Sequence, residues 1–473
     1  MTIDKKIKTR RVWLDTLEKW QSPVPATRSG KFFAPGYDDA DRDLLREIHD
    51  SKIKAVAPFL YENSAFYRRR FDRLGLLPSD IASVDDLDNW PVIDKSEMME
   101  DVAMHPPFGT YTTVDDEVWG RNGWMMFSSS GTTGTPRPFR YTQNDRRIWA
   151  WGNARALYGM GIGDGDSAII CSGYGPHVFA WTAQMGLAEL EIPVIPGGGM
   201  DSAMRASIIE RFKPTVLICT PSYALHLGRV IEEMGQDPRA SSIRLIFVGG
   251  EPALGIPNTR QRIEELWGAK LSEFYGCTEA APSAGGYSCS AVIEQGGTFT
   301  HFMEDLQYWE LVSPDSHERL PIGERGLTVC SNLCSEASPQ LRFLVGDYTV
   351  LDDGRCECGR YHMRALGGMS GRADDLINLR GIKMYPVQLE QAVRQVDGVG
   401  DEYEVHIEND SAGMGIMKVR VEHTDNGPRS DIATQVEREI REGCEIKASV
   451  EVLPLGTLPK TEFKAKRIYD HRG

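Results

Sequence analysis

The sequence predicts an α/β protein with a large N-terminal body of mainly parallel sheets flanked by helices, and a small α+β C-terminal domain on a hinge. The first observation is the length of 473 residues, which exceeds the roughly 250–300 residues at which single cores stop growing. The second is a series of short apolar runs that alternate with helix-like stretches, as in parallel sheets joined by helices. The third is a change of pattern near residue 371, which predicts a domain boundary.

The N-terminal domain is expected over residues 1–373, with a helical segment in residues 1–120. Apolar side chains recur between residues 44 and 59 at helical spacing among charged ones, and carry no obvious chemistry. From residue 124 onward the pattern changes, and strands are predicted at 167–171, 216–219 and 245–248. Ligands of parallel sheets collect beyond the carboxyl ends of the strands, so the residues after these runs form the candidate site.

The C-terminal domain is expected over residues 374–473. It has its own strand-like segments at 403–408 and 417–422 and a helix-like segment at 431–442. A small domain that begins at a predicted boundary is able to move on a hinge, and the boundary motif at 371–375 is the expected hinge.

The charge balance limits the partners. The chain has 53 Lys and Arg residues against 68 Asp and Glu residues, a formal charge of −15. Nucleic acid is not expected as a partner, because phosphate backbones require a basic footprint. No run approaches the roughly 20 apolar residues of a membrane span and no signal peptide is evident, so a cytoplasmic protein without a membrane partner is expected. Nine cysteines in such a chain indicate thiols or metal ligands.

A loop rich in serine, threonine and glycine, residues 128–136 (SSSGTTGTP), is the most informative segment. Glycine lets backbone N–H groups approach an anion, and the hydroxyl groups add further donors, so this phosphate loop is suited to bind the phosphates of a nucleotide. It lacks the spacing of a Walker A loop. The alternative is a flexible connector.

Six short motifs follow one another along the chain. They are SSGTTGTP at 129–136, GGEP at 249–252, YGCTE at 275–279, GD at 346–347, GRADD at 371–375 and LPKTEFK at 458–464. In these motifs and in their order the sequence resembles the adenylate-forming superfamily of acyl-CoA synthetases. The segments 62–68 (ENSAFYR), 91–95 (PVIDK) and 356–360 (CECGR) are most similar to its phenylacetate–CoA ligase branch.

The resemblance implies a role for each motif in binding ATP and magnesium. Hydroxyl and N–H groups of the phosphate loop would hold the β- and γ-phosphates, Glu279 would bind magnesium, and Thr278 would donate to the α-phosphate. Asp347 and Arg372 would hold the ribose. The implied phosphate-loop contacts are Ser129, Ser130, Gly131, Thr132, Thr133 and Gly134, and those of the adenine are Gly250, Glu251, Pro252, Tyr275 and Gly276.

The resemblance also implies two half-reactions in two orientations of the C-terminal domain. Lys464 would act in adenylation, with Lys460 and Lys466 as alternatives, and Asp374 would be the hinge. Lys383 lies in the loop that would approach coenzyme A in thioester formation. The sequence departs from the family at Thr135, where many members have lysine, and at Phe463, where glycine is usual.

The acid is expected to bind beside aromatic walls on a glycine-rich floor, which suits an aromatic ring or a small apolar acid. Phe179 and its neighbour Trp181 are alternatively core residues of a helix, and His177 is alternatively structural. The predicted pocket residues are Tyr174, His177, Phe179, Ala180, Tyr223 and Gly249.

Three cysteines and one histidine form a candidate metal site. Cys356 and Cys358 make a C-x-C pair, and Cys289 and His301 complete a Cys3His set of the kind that structural zinc favours. Some members of the resembled branch hold a metal at such residues. The alternatives are a competing pair at 330 and 334 and free buried thiols.

The expected function is ATP-dependent activation of an aromatic or arylacetic acid to an acyl-adenylate, followed by transfer to coenzyme A. Its substrates would be the acid, ATP with magnesium, and coenzyme A, and the resemblance implies a homodimer. The alternative is an adenylating enzyme with another acceptor, such as an amine, a carrier-protein thiol or a deazaflavin hydroxyl. A third class is a non-catalytic nucleotide sensor, because a fold does not fix a function.

Overall fold

The computed structural model describes residues 3–21, 30–129, 137–251, 253–282, 285–372, 377–380, 382–409, 415–424, 429–459 and 467–472. Its α-helices are α1 Ile3–Gln21, α2 Arg42–Asn63, α3 Ala65–Leu74, α4 Lys95–Met104, α5 Asp116–Asn122, α6 Gln143–Gly159, α7 Val178–Glu189, α8 Ser202–Phe212, α9 Pro221–Glu233, α10 Pro257–Trp267, α11 Ser290–Gln295, α12 Pro386–Arg394 and α13 Arg429–Cys444.

The strands begin where the helical N-terminal segment ends. They are β1 Gly123–Ser129, β2 Arg137–Thr142, β3 Ala168–Ile170, β4 Val194–Pro196, β5 Val216–Cys219, β6 Leu245–Gly249, β7 Lys270–Tyr275, β8 Gly286–Tyr287, β9 Phe299–Phe302, β10 Gln307–Val312, β11 Arg325–Asn332, β12 Gln340–Asp352, β13 Arg364–Leu366, β14 Ile377–Leu379, β15 Ile382–Met384, β16 Val399–Asn409, β17 Gly415–His423, β18 Ala448–Pro454 and β19 Ile468–Asp470.

The chain divides into two compact units. The first unit contains residues 1–198 and 272–368, and the second contains residues 199–271 and 369–473. The predicted boundary at residue 374 lies outside the described residues, so the division into residues 1–373 and 374–473 stays a prediction.

The first unit contains helices α1–α7 and α11 and a long run of antiparallel strands in the order β10-β11-β12-β13-β9-β8-β7. Strands β3 and β4 are parallel, and β1 and β2 form an antiparallel pair. The α/β class is confirmed, but "mainly parallel" is correct only for the strands between residues 168 and 249. Beyond residue 270 the connections are short, and short connections join antiparallel strands.

The second unit contains the parallel pair β5 and β6 and the sheet β18-β17-β16-β19. Helices α12 and α13 pack with this sheet around a buried core that includes Leu389, Val405, Val419 and Val436. The strands and the helix predicted between residues 403 and 442 are therefore confirmed. Among the described residues, no helix is both long and apolar enough to cross a membrane.

Candidate functional site

The phosphate loop leaves the end of β1 and returns into β2. Ser129, the last residue of β1, is half-buried and pairs in register with Arg137, the first residue of β2. The two residues therefore form the neck of the loop. The predicted contacts Ser130, Gly131, Thr132, Thr133 and Gly134 lie outside the described residues, and their roles stay predictions.

A turn at residues 278–281 carries the two predicted catalytic side chains of this unit. Thr278 and Glu279 are both buried, and Glu279 Oε1 accepts a hydrogen bond from Arg137 Nη2 at 2.6 Å. Tyr141 OH donates to the carbonyl of Thr278 at 2.7 Å, and Asn332 Nδ2 donates to the carbonyl of Ala280 at 3.2 Å. The turn is thus fixed from two strands, with the Glu279 carboxylate beside the neck of the phosphate loop.

The predicted adenine and ribose residues are joined by a hydrogen bond. Tyr275 OH donates to Asp347 Oδ2 at 2.5 Å, and the tyrosine ring lies 6.0 Å from that of Trp309. The amide of Asp347 donates to Thr328 Oγ1 at 3.1 Å. Tyr275 and Asp347 are thereby held in one place, and Gly276 is exposed next to them.

The second unit carries the GGEP turn and the residues expected to act in the C-terminal half-reaction. Gly250, at φ +85°, follows β6, and Glu251 accepts hydrogen bonds from the amide of Ser222 at 3.2 Å and its hydroxyl at 3.0 Å. Arg372 is half-buried, and the backbone of Lys383 lies in β15. Outside the described residues are Pro252, Asp374, Lys460, Lys464 and Lys466. The roles of all these residues stay predictions.

A glycine-rich turn at residues 173–177 adjoins the phosphate loop. The amide of Ser128 donates to the carbonyl of Pro176 at 2.7 Å. The ring of Tyr174 meets that of Trp181 edge to face at 5.1 Å, and Trp181 Nε1 donates to the carbonyl of Gly175 at 3.2 Å. Both rings are half-buried, so this turn presents an aromatic surface beside the loop.

The other predicted pocket residues differ in exposure. His177 and Phe179 are half-buried, and burial lowers the pKa of His177, which favours the neutral ring at pH 7. Ala180 and Gly249 are buried. In the second unit, Tyr223 is covered: its hydroxyl lies 2.9 Å from Ser202 Oγ, and Arg205 packs on its ring. A pocket role for these residues stays a prediction.

The predicted Cys3His set comes together. Cys289, His301, Cys356 and Cys358 are all buried, and their ligand atoms lie within 4.8 Å of one another. The sulfurs of Cys289 and Cys356 are 3.9 Å apart, and Cys358 Sγ is 3.4 Å from His301 Nε2. A tetrahedral zinc ion requires about 3.8 Å between two sulfurs and about 3.6 Å between sulfur and nitrogen. The set therefore fits zinc, and the competing cysteines at 330 and 334 are not part of it.

Neighbouring groups orient the ligands. His301 Nδ1 donates to the carbonyl of His362 at 3.0 Å, which leaves Nε2 facing the sulfurs. Gly359, at φ +91°, closes the turn that brings Cys356 and Cys358 together. Hydrogen bonds from Cys289 and Cys356 lower the pKa of Cys358, whereas hydrogen bonds to Cys356 and Cys358 raise the pKa of Cys289. One thiolate is thus favoured in the group.

Sequence reasoning missed Arg137, Arg360, Tyr141 and Asn332. Arg137 binds Glu279, and Arg360 is buried with its guanidinium beside the Cys358 sulfur. Arg137 had one usable signal, because it is the first cationic residue after the phosphate loop. Arg360 also had one, because it follows Cys358 by two residues in the segment 356–360. The partners of Tyr141 and Asn332 on the 278–281 turn are distant in sequence and gave no signal.

Comparisons with known proteins agree with this arrangement. The AMP-binding enzyme family model matches residues 80–331, and the model of the AMP-binding enzyme C-terminal domain matches residues 381–472. The phenylacetate-coenzyme A ligase of Pseudomonas putida is 30% identical over 92% of this chain and 99% of its own length. That of Thermus thermophilus is 30% identical over 93% of this chain and 99% of its own length.

A solved structure extends the comparison. The structure of 2-hydroxyisobutyryl-CoA ligase with 2-HIB-AMP, in the postadenylation state, matches with a TM-score of 0.88 and 28% identity. The match covers 96% of this chain and 97% of that one. The same ligase has also been solved with 2-HIB-AMP and CoA in the thioesterification state, at a TM-score of 0.71.

Proposed function

Because the chain belongs to the AMP-binding enzyme family and to its phenylacetate–CoA ligase-like branch, we propose that it is an AMP-forming acid–CoA ligase. It converts a carboxylic acid and ATP to an acyl-adenylate and transfers the acyl group to coenzyme A. The observation that carries the proposal is the chain of contacts from Ser129 through Arg137 to Glu279. These contacts join the phosphate loop to the predicted magnesium ligand, and Arg137 and Glu279 are 142 residues apart in sequence.

The chemistry assigns a task to each group. In adenylation a carboxylate oxygen of the acid attacks the α-phosphorus of ATP, and pyrophosphate leaves. Thr278 would donate to the α-phosphate, Glu279 would hold a magnesium ion that offsets the phosphate charge, and Tyr275 with Asp347 would orient the adenosine. In thioester formation the sulfur of coenzyme A attacks the acyl carbon, and AMP leaves.

The C-terminal residues complete the proposal. Lys464 stabilises the charge on the α-phosphoryl group during adenylation. Asp374 is the hinge on which the domain turns, and Lys383 then serves the thioester step. This assignment rests on the motifs 371–375 and 458–464 and on the match of residues 381–472 to the AMP-binding enzyme C-terminal domain.

An aromatic or arylacetic acid is the proposed substrate class. Tyr174, on the turn that contacts the phosphate loop, pairs edge to face with Trp181 of α7, which suits a flat ring next to the reacting carboxylate. The similarity to 2-hydroxyisobutyryl-CoA ligase favours a second candidate, a small branched hydroxy acid.

The test measures pyrophosphate release with magnesium and ATP, using phenylacetate, benzoate and 2-hydroxyisobutyrate, each with and without coenzyme A. We expect release with an aromatic acid and a mass for the acyl-CoA product only when coenzyme A is present. Pyrophosphate release with 2-hydroxyisobutyrate but with neither aromatic acid would favour the second candidate, a small branched hydroxy acid. An acyl-AMP that forms but never reaches coenzyme A would assign another acceptor, and no release with any acid would contradict the ligase.

We also propose that Cys289, His301, Cys356 and Cys358 hold a structural zinc ion. Their spacing fits a tetrahedral metal, and His301 Nε2 is oriented toward the sulfurs. The four ligands come from the start of α11, from β9 and from the turn after β12. A bound ion would join these three segments, and it would stabilise the fold without acting on the substrates.

A further inference from the structure

Tyr174 is hydrogen-bonded to an amide side chain of α7. Its hydroxyl donates to Gln184 Oε1 at 3.1 Å, while its ring meets that of Trp181 edge to face at 5.1 Å. Burial raises the pKa of Tyr174 to about 12, so the hydroxyl stays protonated at neutral pH and remains a donor. We call Tyr174 and Gln184 the polar pair.

The neighbours of Tyr174 fix the position of its ring. Gly198, two residues after β4, lies against it: a Cβ atom there would be 2.7 Å from Tyr174 Cδ2 and 2.7 Å from the carbonyl oxygen of Ser172. Only glycine allows so close an approach. On the other side, Trp181 is held by its own hydrogen bond from Nε1 to the carbonyl of Gly175 at 3.2 Å. The polar pair is therefore in place before any ligand binds.

Gln184 has hydrogen-bonding capacity left over. A glutamine amide offers two N–H donors besides its carbonyl oxygen. Among the described residues, the bond from Tyr174 is the one hydrogen bond that the Gln184 side chain makes. Thr182, on the same helix, is buried and already accepts from Trp149 Nε1 at 3.0 Å. Gln184 is half-buried, so its N–H groups are within reach of a ligand.

The polar pair lies where the acid is expected. The turn at 173–177 follows β3, and a hydrogen bond from the amide of Ser128 to the carbonyl of Pro176, 2.7 Å long, joins it to the end of β1. Ligands of parallel strands collect beyond their carboxyl ends. An acid that packs on the Tyr174 ring therefore meets an amide as well as an apolar surface.

We propose that Gln184, positioned by Tyr174, selects an acid that carries a hydroxyl group in addition to its carboxylate. The amide N–H donates to the hydroxyl oxygen. An acid with a methyl group at the same place leaves that N–H without a partner and binds more weakly. The inference rests on the proposed function and deepens it, because it names the substrate class of the same site. It applies to an aromatic acid and to a small branched acid alike.

The first test compares acids in matched pairs, in which a methyl group of similar size replaces the hydroxyl. The pairs are the ortho, meta and para hydroxyphenylacetates against the corresponding methylphenylacetates, and 2-hydroxyisobutyrate against pivalate. The measurement is kcat/KM for pyrophosphate release with Mg·ATP. In at least one pair we expect the wild-type protein to favour the hydroxy acid about tenfold or more. Ratios near or below one in every pair would overturn the proposal.

The second test removes the amide. Gln184→Met keeps an unbranched side chain of similar length, and the ratio for the favoured pair should fall to within about twofold of one. Tyr174→Phe keeps the ring but no longer holds the amide, so a smaller fall is expected. The matched control is Gln391→Met, at a half-buried helix glutamine whose Nε2 donates to the carbonyl of Gly255 at 3.3 Å. We expect the wild-type ratio there.

The ratio separates selection from stability. If Gln184→Met loses activity equally with both acids of a pair, Gln184 serves only the fold and the proposal is overturned. Tyr174→Phe gives the same readout if the glutamine variant does not fold, and an unchanged ratio there would remove Tyr174 from the selection. Pyrophosphate release with no acid at all would contradict the proposed function, whereas release without a preference for the hydroxyl would contradict only this inference.

Discussion

The buried guanidinium of Arg360 is expected to stabilise metal binding by the Cys3His group. Three thiolates, a neutral imidazole and Zn²⁺ have a summed charge of −1, and Arg360, 2% exposed beside Cys358, carries the opposite charge. Groups that contact metal ligands from outside typically contribute 10- to 100-fold to metal affinity. Arg360→Gln should therefore weaken zinc binding by that factor, which corresponds to about 1.4–2.7 kcal/mol.

The assay is competition for zinc against a chromophoric chelator, together with thermal unfolding with and without zinc. Arg360 also packs near the rings of Phe32 and Tyr287, so only the difference between metal-loaded and metal-free stability measures its effect on the metal. The control is Arg355→Gln, which removes an exposed arginine from the same turn, and we expect unchanged affinity there.

Two results would refute this reasoning. The first is zinc affinity in Arg360→Gln within about twofold of wild type, well below the range typical of such neighbours. The second is wild-type protein, purified without chelator, that holds less than about a tenth of an equivalent of zinc, since a structural site retains its metal. Cys358→Ser, which removes a ligand itself, should lose zinc more completely than the arginine variant.

Three further predictions concern groups near the site and in the core. Tyr275→Phe removes the hydrogen bond to Asp347 and should raise KM for ATP about 10- to 100-fold, since such bonds to charged groups are worth about 1.5–3 kcal/mol; an unchanged KM would remove Asp347 from the nucleotide site. Asn332→Ala should lower kcat of pyrophosphate release more than it raises KM, because it loosens the 278–281 turn. Asn332→Asp keeps the acceptor for the amide of Ser335 and should lower kcat less than Asn332→Ala does. A kcat as low as that of Asn332→Ala would contradict this expectation. Burial lowers the pKa of Lys52 in the folded protein to about 8. Between about pH 8 and 10.5 the unfolded chain therefore holds a proton on Lys52 that the folded protein has released. The free energy of unfolding should rise with pH through that window. Lys52→Met should remove this rise in the free energy of unfolding between about pH 8 and 10.5, measured by chemical denaturation; parallel pH profiles for both proteins would contradict it.

The sequence predicted those parts of the candidate site whose residues belong to short motifs or form a characteristic set. Three cysteines and a histidine together favour a metal site, so the residues at 289, 301, 356 and 358 were predicted to lie close together. The structure confirms that they do. The strands between residues 168 and 249 were predictable for a similar reason, because continuous apolar runs separated by helices favour parallel strands. The segments 403–408 and 417–422 alternate in burial as strands with one covered face do.

The rest depends on tertiary contacts that local sequence does not encode. An arginine is more often exposed than buried, and nothing near Arg137 identifies Glu279, 142 residues away, as its partner. Strand direction beyond residue 270 could not be read from periodicity, because parallel and antiparallel strands share the same alternation of faces. The covered position of Tyr223 depends on Arg205, on the preceding helix.

An acidic chain can bind a polyanion because nearby charges outweigh distant ones. Charges farther away than the Debye length of about 8–10 Å are largely screened, whereas the Arg137 and Glu279 side chains are 2.6 Å apart and buried. The two buried ions neutralise each other over that short distance, so the net charge of −15 does not set the local potential at the neck of the loop. The acidic composition of the chain is therefore compatible with the binding of nucleotide phosphates at this loop.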